Sequence, residues 1–224
     1  AHDGKQLFND VLIPLSDGRP VKKAFQLKRK DTRATVMYFA MVDRFKDGKK
    51  ENNRPTNDPR IKPIANNLGG DLVGITQAIE DGYFKKLGTN TIWISPITKN
   101  AEGAWGLWDK GGDTSMFSGY HGYWPTSLRT IDDRFGTEEE FRNLLKVAHK
   151  HKMNVYLDYV AHHVHQDHPL IKEHKDWVTP LYLPDGTMNT ERWDDQRLTT
   201  WFDVFPPTWD FSKPEVVNAL TDTA

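Results

Sequence analysis

Three short apolar runs separated by two amphipathic stretches constrain this chain more than any other feature. The runs are Ala34-Thr35-Val36-Met37-Tyr38-Phe39-Ala40-Met41-Val42, Thr91-Ile92-Trp93-Ile94-Ser95-Pro96 and Asn154-Val155-Tyr156-Leu157-Asp158-Tyr159-Val160. Short, near-continuous and β-rich, they read as strands buried on both faces. After the first run, Asp71 is placed to cap a helix that carries Leu72, Ile75, Ile79 and Tyr83 at helical spacing and stops at Gly88. After the second, Thr137-Glu138-Glu139-Glu140 fits a capping box, and Phe141, Leu144, Leu145 and Ala148 share one helical face. The order strand, helix, strand, helix, strand predicts βαβ units around a parallel sheet.

The rest of the chain is less regular. Residues 1–32 are polar and uneven and read as a connector or the tail of a preceding domain; their basic stretch from Val21 to Lys30 reads as solvated. Residues 99–124 read as a Gly- and Trp-rich loop, and 164–205 as an irregular insertion. Pro214-Glu215 opens a last helix with Val216, Val217 and Leu220 apolar.

Composition removes several function classes. The 224 residues carry 30 Lys+Arg against 31 Asp+Glu, a net charge of -1, which argues against a general nucleic-acid partner. Hydrophobic residues at 37% and aromatic residues at 12% indicate a folded chain. No apolar run approaches the roughly 18 residues of a membrane span. With no Cys, disulfide frameworks and thiolate metal sites are excluded.

Functional residues of parallel α/β folds gather at strand C-termini. Here those ends carry Asp43-Arg44-Phe45-Lys46-Asp47-Gly48, Ser95-Pro96-Ile97, and Asp158 followed by His162-His163. A loop between the second and third carries Tyr120-His121-Gly122-Tyr123-Trp124. Together with Gly69-Gly70-Asp71-Leu72-Val73-Gly74-Ile75, Trp93-Ile94-Ser95-Pro96, Phe135 to Phe141 and Leu157 to His163, these segments resemble the alpha-amylase family of glycoside hydrolases, on its neopullulanase, cyclomaltodextrinase and cyclodextrin glucanotransferase side. Six motifs in order, over roughly residues 34–217, carry the resemblance.

The resemblance implies an α/β chain forming the first three strands of a (β/α)8 barrel over 33–163, an inserted irregular subdomain over 164–205, and the start of the third barrel helix over 206–224. It implies α-glucan or maltooligosaccharide as substrate and an extracytoplasmic setting. Tyr123 is implied as a stacking platform for the apolar face of a sugar, with His121 and Trp124 as further substrate-binding residues. His163 is implied to hydrogen-bond sugar hydroxyls near the cleaved bond, and Asp158 to be structural. It also implies one calcium site, with side-chain oxygens from Asp47, Asn52, Asn53 and Asp71 and main-chain carbonyls from Lys49 and Gly69. Without the resemblance, the same residues read as a polar turn whose Asn and Asp cap their own backbone.

The chain also departs from the family's pattern. His162 and Thr208 stand where the family places ligands of a second calcium site, so that site is expected to be absent. Retaining glycosidases need two carboxylates about 5.5 Å apart. The resemblance places the nucleophile and the acid/base after later strands, beyond residue 224. Asp167, Asp194, Asp195, Asp203 and Asp210 lie in no matching motif. The chain alone is therefore expected to be inactive and to self-associate through exposed barrel edges. Two other readings stay open. His163-Val164-His165, with Asp158, Asp167 and His168 near in sequence, is reminiscent of a metal-dependent amidohydrolase, although His165 and His168 read more simply as surface residues. Trp105, Trp108, Trp177, Trp193, Trp201 and Trp209 could serve a non-catalytic carbohydrate-binding fragment, although packing of loops is the plainer role for each.

Overall fold

A computed structural model describes residues 35–222, together with 13, 15–16, 18–23 and 32. Much of the 1–32 connector, with most of its basic stretch, lies outside the described residues; within it Leu15–Ser16 pairs antiparallel with Arg19–Pro20.

The three apolar runs form one parallel sheet. Its strands are β1 (Met37–Ala40), β2 (Thr91–Ile94) and, after a hairpin, β5 (Asn154–Leu157), in the order β1-β2-β5. Each is shorter than its apolar run. Residue 34 lies outside the described residues, and beyond Met41 the chain turns at once into α1 (Val42–Phe45). Register aligns Phe39, Trp93 and Tyr156 across the sheet.

The expectation of strands buried on both faces is corrected. Side chains alternate along a strand, and one set is covered while the other is open. Ala40, Ile92 and Ile94 are buried, whereas Met37 and Phe39 are 41% exposed and Trp93 39%. Among the described residues, no layer lies over that second face.

The covered face packs on α2 (Leu72–Glu80) and α4 (Glu138–Lys150). The Asp71 side chain caps α2 by accepting the Gly74 N–H. Leu72, Ile75 and Ile79 then point into a core completed by Phe84, Leu144 and Ala148. Burying each such Leu or Ile contributes about 1.5–3 kcal/mol before chain entropy is charged. The single helix expected up to Leu87 breaks at Asp81-Gly82 and resumes as α3 (Tyr83–Lys86). At α4 the capping box forms, Thr137 accepting from the Glu140 N–H and Glu140 accepting from the Thr137 N–H.

The loop expected over 99–124 contains a hairpin, β3 (Trp105–Lys110) against β4 (Asp113–Phe117). Gly111 and Gly112 connect them at φ +65° and +83°. A two-residue turn with both φ positive matches the strand twist, which is why a Gly-Gly pair marks it.

Residues 164–205 hold α5 (Pro169–Glu173) and isolated bridges. Val164, Leu170, Ile171, Trp177 and Val178 share a second core with Trp209, Val216 and Leu220, the last two from α6 (Pro214–Thr221). His165 and His168, read from the sequence as surface residues, are 0% and 5% exposed. Trp105 and Phe205 enclose the His165 ring, at 4.2 and 5.6 Å, and Trp209 faces that of His168 at 6.1 Å. Trp201 and Trp209 are packed inside as expected, while Trp108 and Trp193 are exposed.

Candidate sugar-binding wall and cation loop

The loop 120–124 sits where β2 ends. Gly122 has φ +87°, and a Cβ there would lie 2.2 Å from the Pro96 carbonyl oxygen, so only glycine lets the loop close onto that strand end. Tyr123 follows, and each of its polar groups has a partner. Its N–H donates to His121 Nδ1 at 2.9 Å. Its carbonyl accepts from His163 Nε2 at 2.9 Å. Its Oη donates to Asp158 Oδ2 at 2.7 Å. The structure thus brings Tyr123 and His121 of one segment together with Asp158 and His163 of another. The His121 ring stacks on Tyr123 at 5.8 Å and meets Trp124 edge-on at 4.3 Å.

These contacts assign ring protons. His121 accepts at Nδ1, so its proton is on Nε2. His163 donates from Nε2, so its Nδ1 is an acceptor, and His162 Nδ1, 3.3 Å away, is the donor. Burial pushes His121 down to about 4, helped by the neighbouring His163 and Arg44. Burial likewise pushes His163 down to about 4, against the hydrogen bond to Tyr123. Burial, then donation to Asp158, pushes the Tyr123 phenol up. The His121 and His163 rings and the Tyr123 phenol are therefore neutral at pH 7. Two further residues enter it that no motif marked. Phe202 lies against the His163 ring at 4.8 Å. Asn100 holds the loop's main chain.

The second cluster lies between 47–53 and 69–71. Asp71 is fully buried, and burial pushes its carboxyl up. Its oxygens accept from Gly48 N, Lys49 N, Gly74 N and Asn52 Nδ2 at 3.2, 2.9, 2.7 and 3.4 Å. Asn53 Nδ2 donates to Asp47 Oδ2 at 2.7 Å. Lys49 Nζ pairs with Glu140 Oε1 at 2.7 Å, in the α4 capping box. The Asn52 and Asn53 amide oxygens are buried without a hydrogen-bond partner. Asn53 lies directly over Gly69, where a Cβ would come within 2.4 Å of its Oδ1. Orphaned buried carbonyl oxygens beside carboxylates suit a hard cation.

Residues 39–219 match the family model for the alpha amylase catalytic domain. The chain belongs to the alpha-amylase family. It is 37% identical over 131 residues to the cyclomaltodextrin glucanotransferase of Thermoanaerobacterium thermosulfurigenes, covering 57% of this chain and 18% of that protein. To the alpha-amylase of Streptomyces lividans it is 31% identical over 214 residues, 93% of this chain and 22% of that one. The crystal structure of alpha-amylase from Geobacillus thermoleovorans, complexed with acarbose, superposes with a TM-score of 0.62 at 34% identity, over 84% of this chain and 36% of that one. The chain thus spans about a fifth of the length of these two curated relatives.

In this alpha-amylase family chain the amidohydrolase alternative has no support from geometry. Among the described residues no three His, Asp or Glu side chains gather as a metal cluster. His163 faces Tyr123 and His162, while His165 Nδ1 accepts from Asp167 N at 3.2 Å. Thr208 donates its hydroxyl to Thr200 O at 2.8 Å, and His162 packs against Trp193 and Phe202.

Proposed function

We propose that this chain supplies one wall of the substrate cleft of a retaining α-glucan or maltooligosaccharide hydrolase, with β1, β2 and β5 as the first three strands of a (β/α)8 barrel. The observation that carries this reading is the Tyr123 Oη bond to Asp158 Oδ2 at 2.7 Å. It fixes an aromatic face at the carboxyl end of the sheet, where an apolar sugar face can stack on it. Asp158 accepts the hydrogen bond from that phenol, so its part is orientation. His163 Nε2–H is the donor for which a sugar hydroxyl competes with the Tyr123 carbonyl. His121 and Trp124 brace the platform from behind. The reading assigns neither nucleophile nor general acid to these residues.

The cation loop has a structural part in the same reading. Asp47, Asn52, Asn53 and Asp71 would hold calcium with the Lys49 and Gly69 carbonyls, and Asn52 Nδ2, the longest contact to Asp71, is the group that turns away. When bound, the ion cross-links 47–53 to 69–71 by charge. Calcium and a polymeric substrate fit an extracytoplasmic setting.

The test is calorimetric titration with maltoheptaose, beside reducing-sugar release from starch, maltoheptaose and β-cyclodextrin. Saturable binding that Tyr123→Ala abolishes supports the reading. No binding by the unaltered chain overturns it.

A further inference from the structure

We infer that Asn100, anchored by the buried Asp132–Arg134 pair, is the positioning residue that sets where the Tyr123 platform stands. The inference rests on the sugar-wall reading above and adds a residue to it.

Asn100 is 1% exposed and lies beyond the end of β2, in none of the family-like motifs. Its side chain grips the loop on both sides of Tyr123. Nδ2 donates to the Gly122 carbonyl at 3.1 Å, the peptide group just before Tyr123. Oδ1 accepts from the Trp124 N–H at 2.7 Å, the peptide group just after it. The second Nδ2 proton goes to Thr98 O at 2.7 Å. A planar amide with all three groups engaged has one orientation, so the two loop peptides it touches also have one.

Asn100 is held in turn. Its N–H donates to Asp132 Oδ2 at 3.0 Å. Asp132, 1% exposed, takes Arg134 Nε and a second guanidinium nitrogen at 2.8 and 2.6 Å. Arg134 also reaches the Asn100 carbonyl at 3.4 Å. A fork-on-fork pair of this kind resists rotation. It joins the segment before α4 to the loop that carries the platform. The remaining polar atoms of Tyr123 belong to His121, His163 and Asp158. Asn100 alone among these partners fixes the main chain on both flanks, and small displacements of a positioning group cost binding and rate out of proportion to their size.

The experiment compares Asn100→Ala and Asn100→Ser with Ile79→Val, a core change on α2 with no bond to the loop. Two quantities are read in each: maltoheptaose affinity by calorimetry, and amide hydrogen exchange at Tyr123 and Trp124 by NMR. Both Asn100 variants are expected to weaken binding about tenfold and to speed Trp124 exchange at least about tenfold. Ile79→Val is expected to lower Tm while leaving both readings unchanged. If Asn100→Ala fails to fold, Asn100→Ser decides. Unaltered affinity and Trp124 exchange in the Asn100 variants overturn the inference, as does an equal shift in Ile79→Val. If the unaltered chain binds no maltoheptaose, the sugar reading fails, and Trp124 exchange alone decides whether Asn100 positions the loop.

Discussion

The loop around Tyr123 and the loop at 47–53 both rise from the same end of the sheet, yet they are completed differently. Around Tyr123 the protein itself supplies the partners: two imidazoles, one carboxylate and one amide. At 47–53 two amide oxygens are buried with none. An unpaired buried carbonyl oxygen costs about 1–3 kcal/mol, so the second loop holds a deficit that an ion would repair. On the function proposed above, the contrast separates a recognition surface from a brace that depends on its surroundings.

Acid should break the contrast most strongly. Four imidazoles, His121, His163, His165 and His168, are pushed by desolvation from 6.5 down to about 4. A folded-state value below the unfolded one means the unfolded chain binds protons first as pH falls. Stability is therefore complete above about pH 6.5 and is lost on acidification toward 4. A proton on His121 Nδ1 would also face the Tyr123 N–H it now accepts. Melting curves from pH 7 to 4.5 should fall steadily; a flat Tm would show that these rings titrate normally.

Gly122→Ala comes next. The added methyl meets the Pro96 carbonyl in a conformation that L side chains rarely adopt. A cost of about 3 kcal/mol or more is expected in denaturant unfolding, with loss of maltoheptaose binding. Near-wild-type values would mean that the wall is far more pliable than its hydrogen bonds suggest.

Calcium should sharpen the comparison from the other side. At a hundred times its Kd, an ion bound only to the folded state adds about 2.7 kcal/mol. Calorimetry should show Tm rising with calcium in the unaltered chain and not in Asn52→Ala, while the apo form of that variant is as stable as the apo parent or more so. A Tm indifferent to calcium removes the brace from the proposal.

Tyr123→Phe should have the smallest effect. Deleting Oη leaves one Asp158 oxygen without its phenol donor, a loss of about 1 kcal/mol. Stacking should survive, so maltoheptaose affinity is expected to drop only a few-fold in titration, against its abolition in Tyr123→Ala. An equal loss in both would place the recognition in the hydroxyl and not in the ring.

Local chemistry was legible in the sequence wherever its partner is near along the chain. The Asp71 cap and the Thr137–Glu140 box are of this kind, since cap and N–H lie within three residues. The Gly111-Gly112 hairpin carried an equally local signal that the loop reading of 99–124 passed over. The motifs at 43–48, 69–75, 93–96, 120–124, 135–141 and 157–163 named the family because each is compact. Which strand face is covered was not local, because Phe39 and Trp93 are as apolar as the buried Ile92 and Ile94.

The sequence by itself determined the βαβ order, the helix starts and the residues at the strand ends, since periodicity and capping act over a few residues. Only the tertiary structure decided what those residues touch. It buried His165 and His168 among aromatic rings, turned both flanks of Tyr123 toward Asn100, and left the Asn52 and Asn53 oxygens unpaired. Those contacts join positions such as 100 with 122 and 124, and 123 with 158 and 163. Hydrogen bonds of that range depend on how the elements pack, and no spacing rule along the chain encodes them.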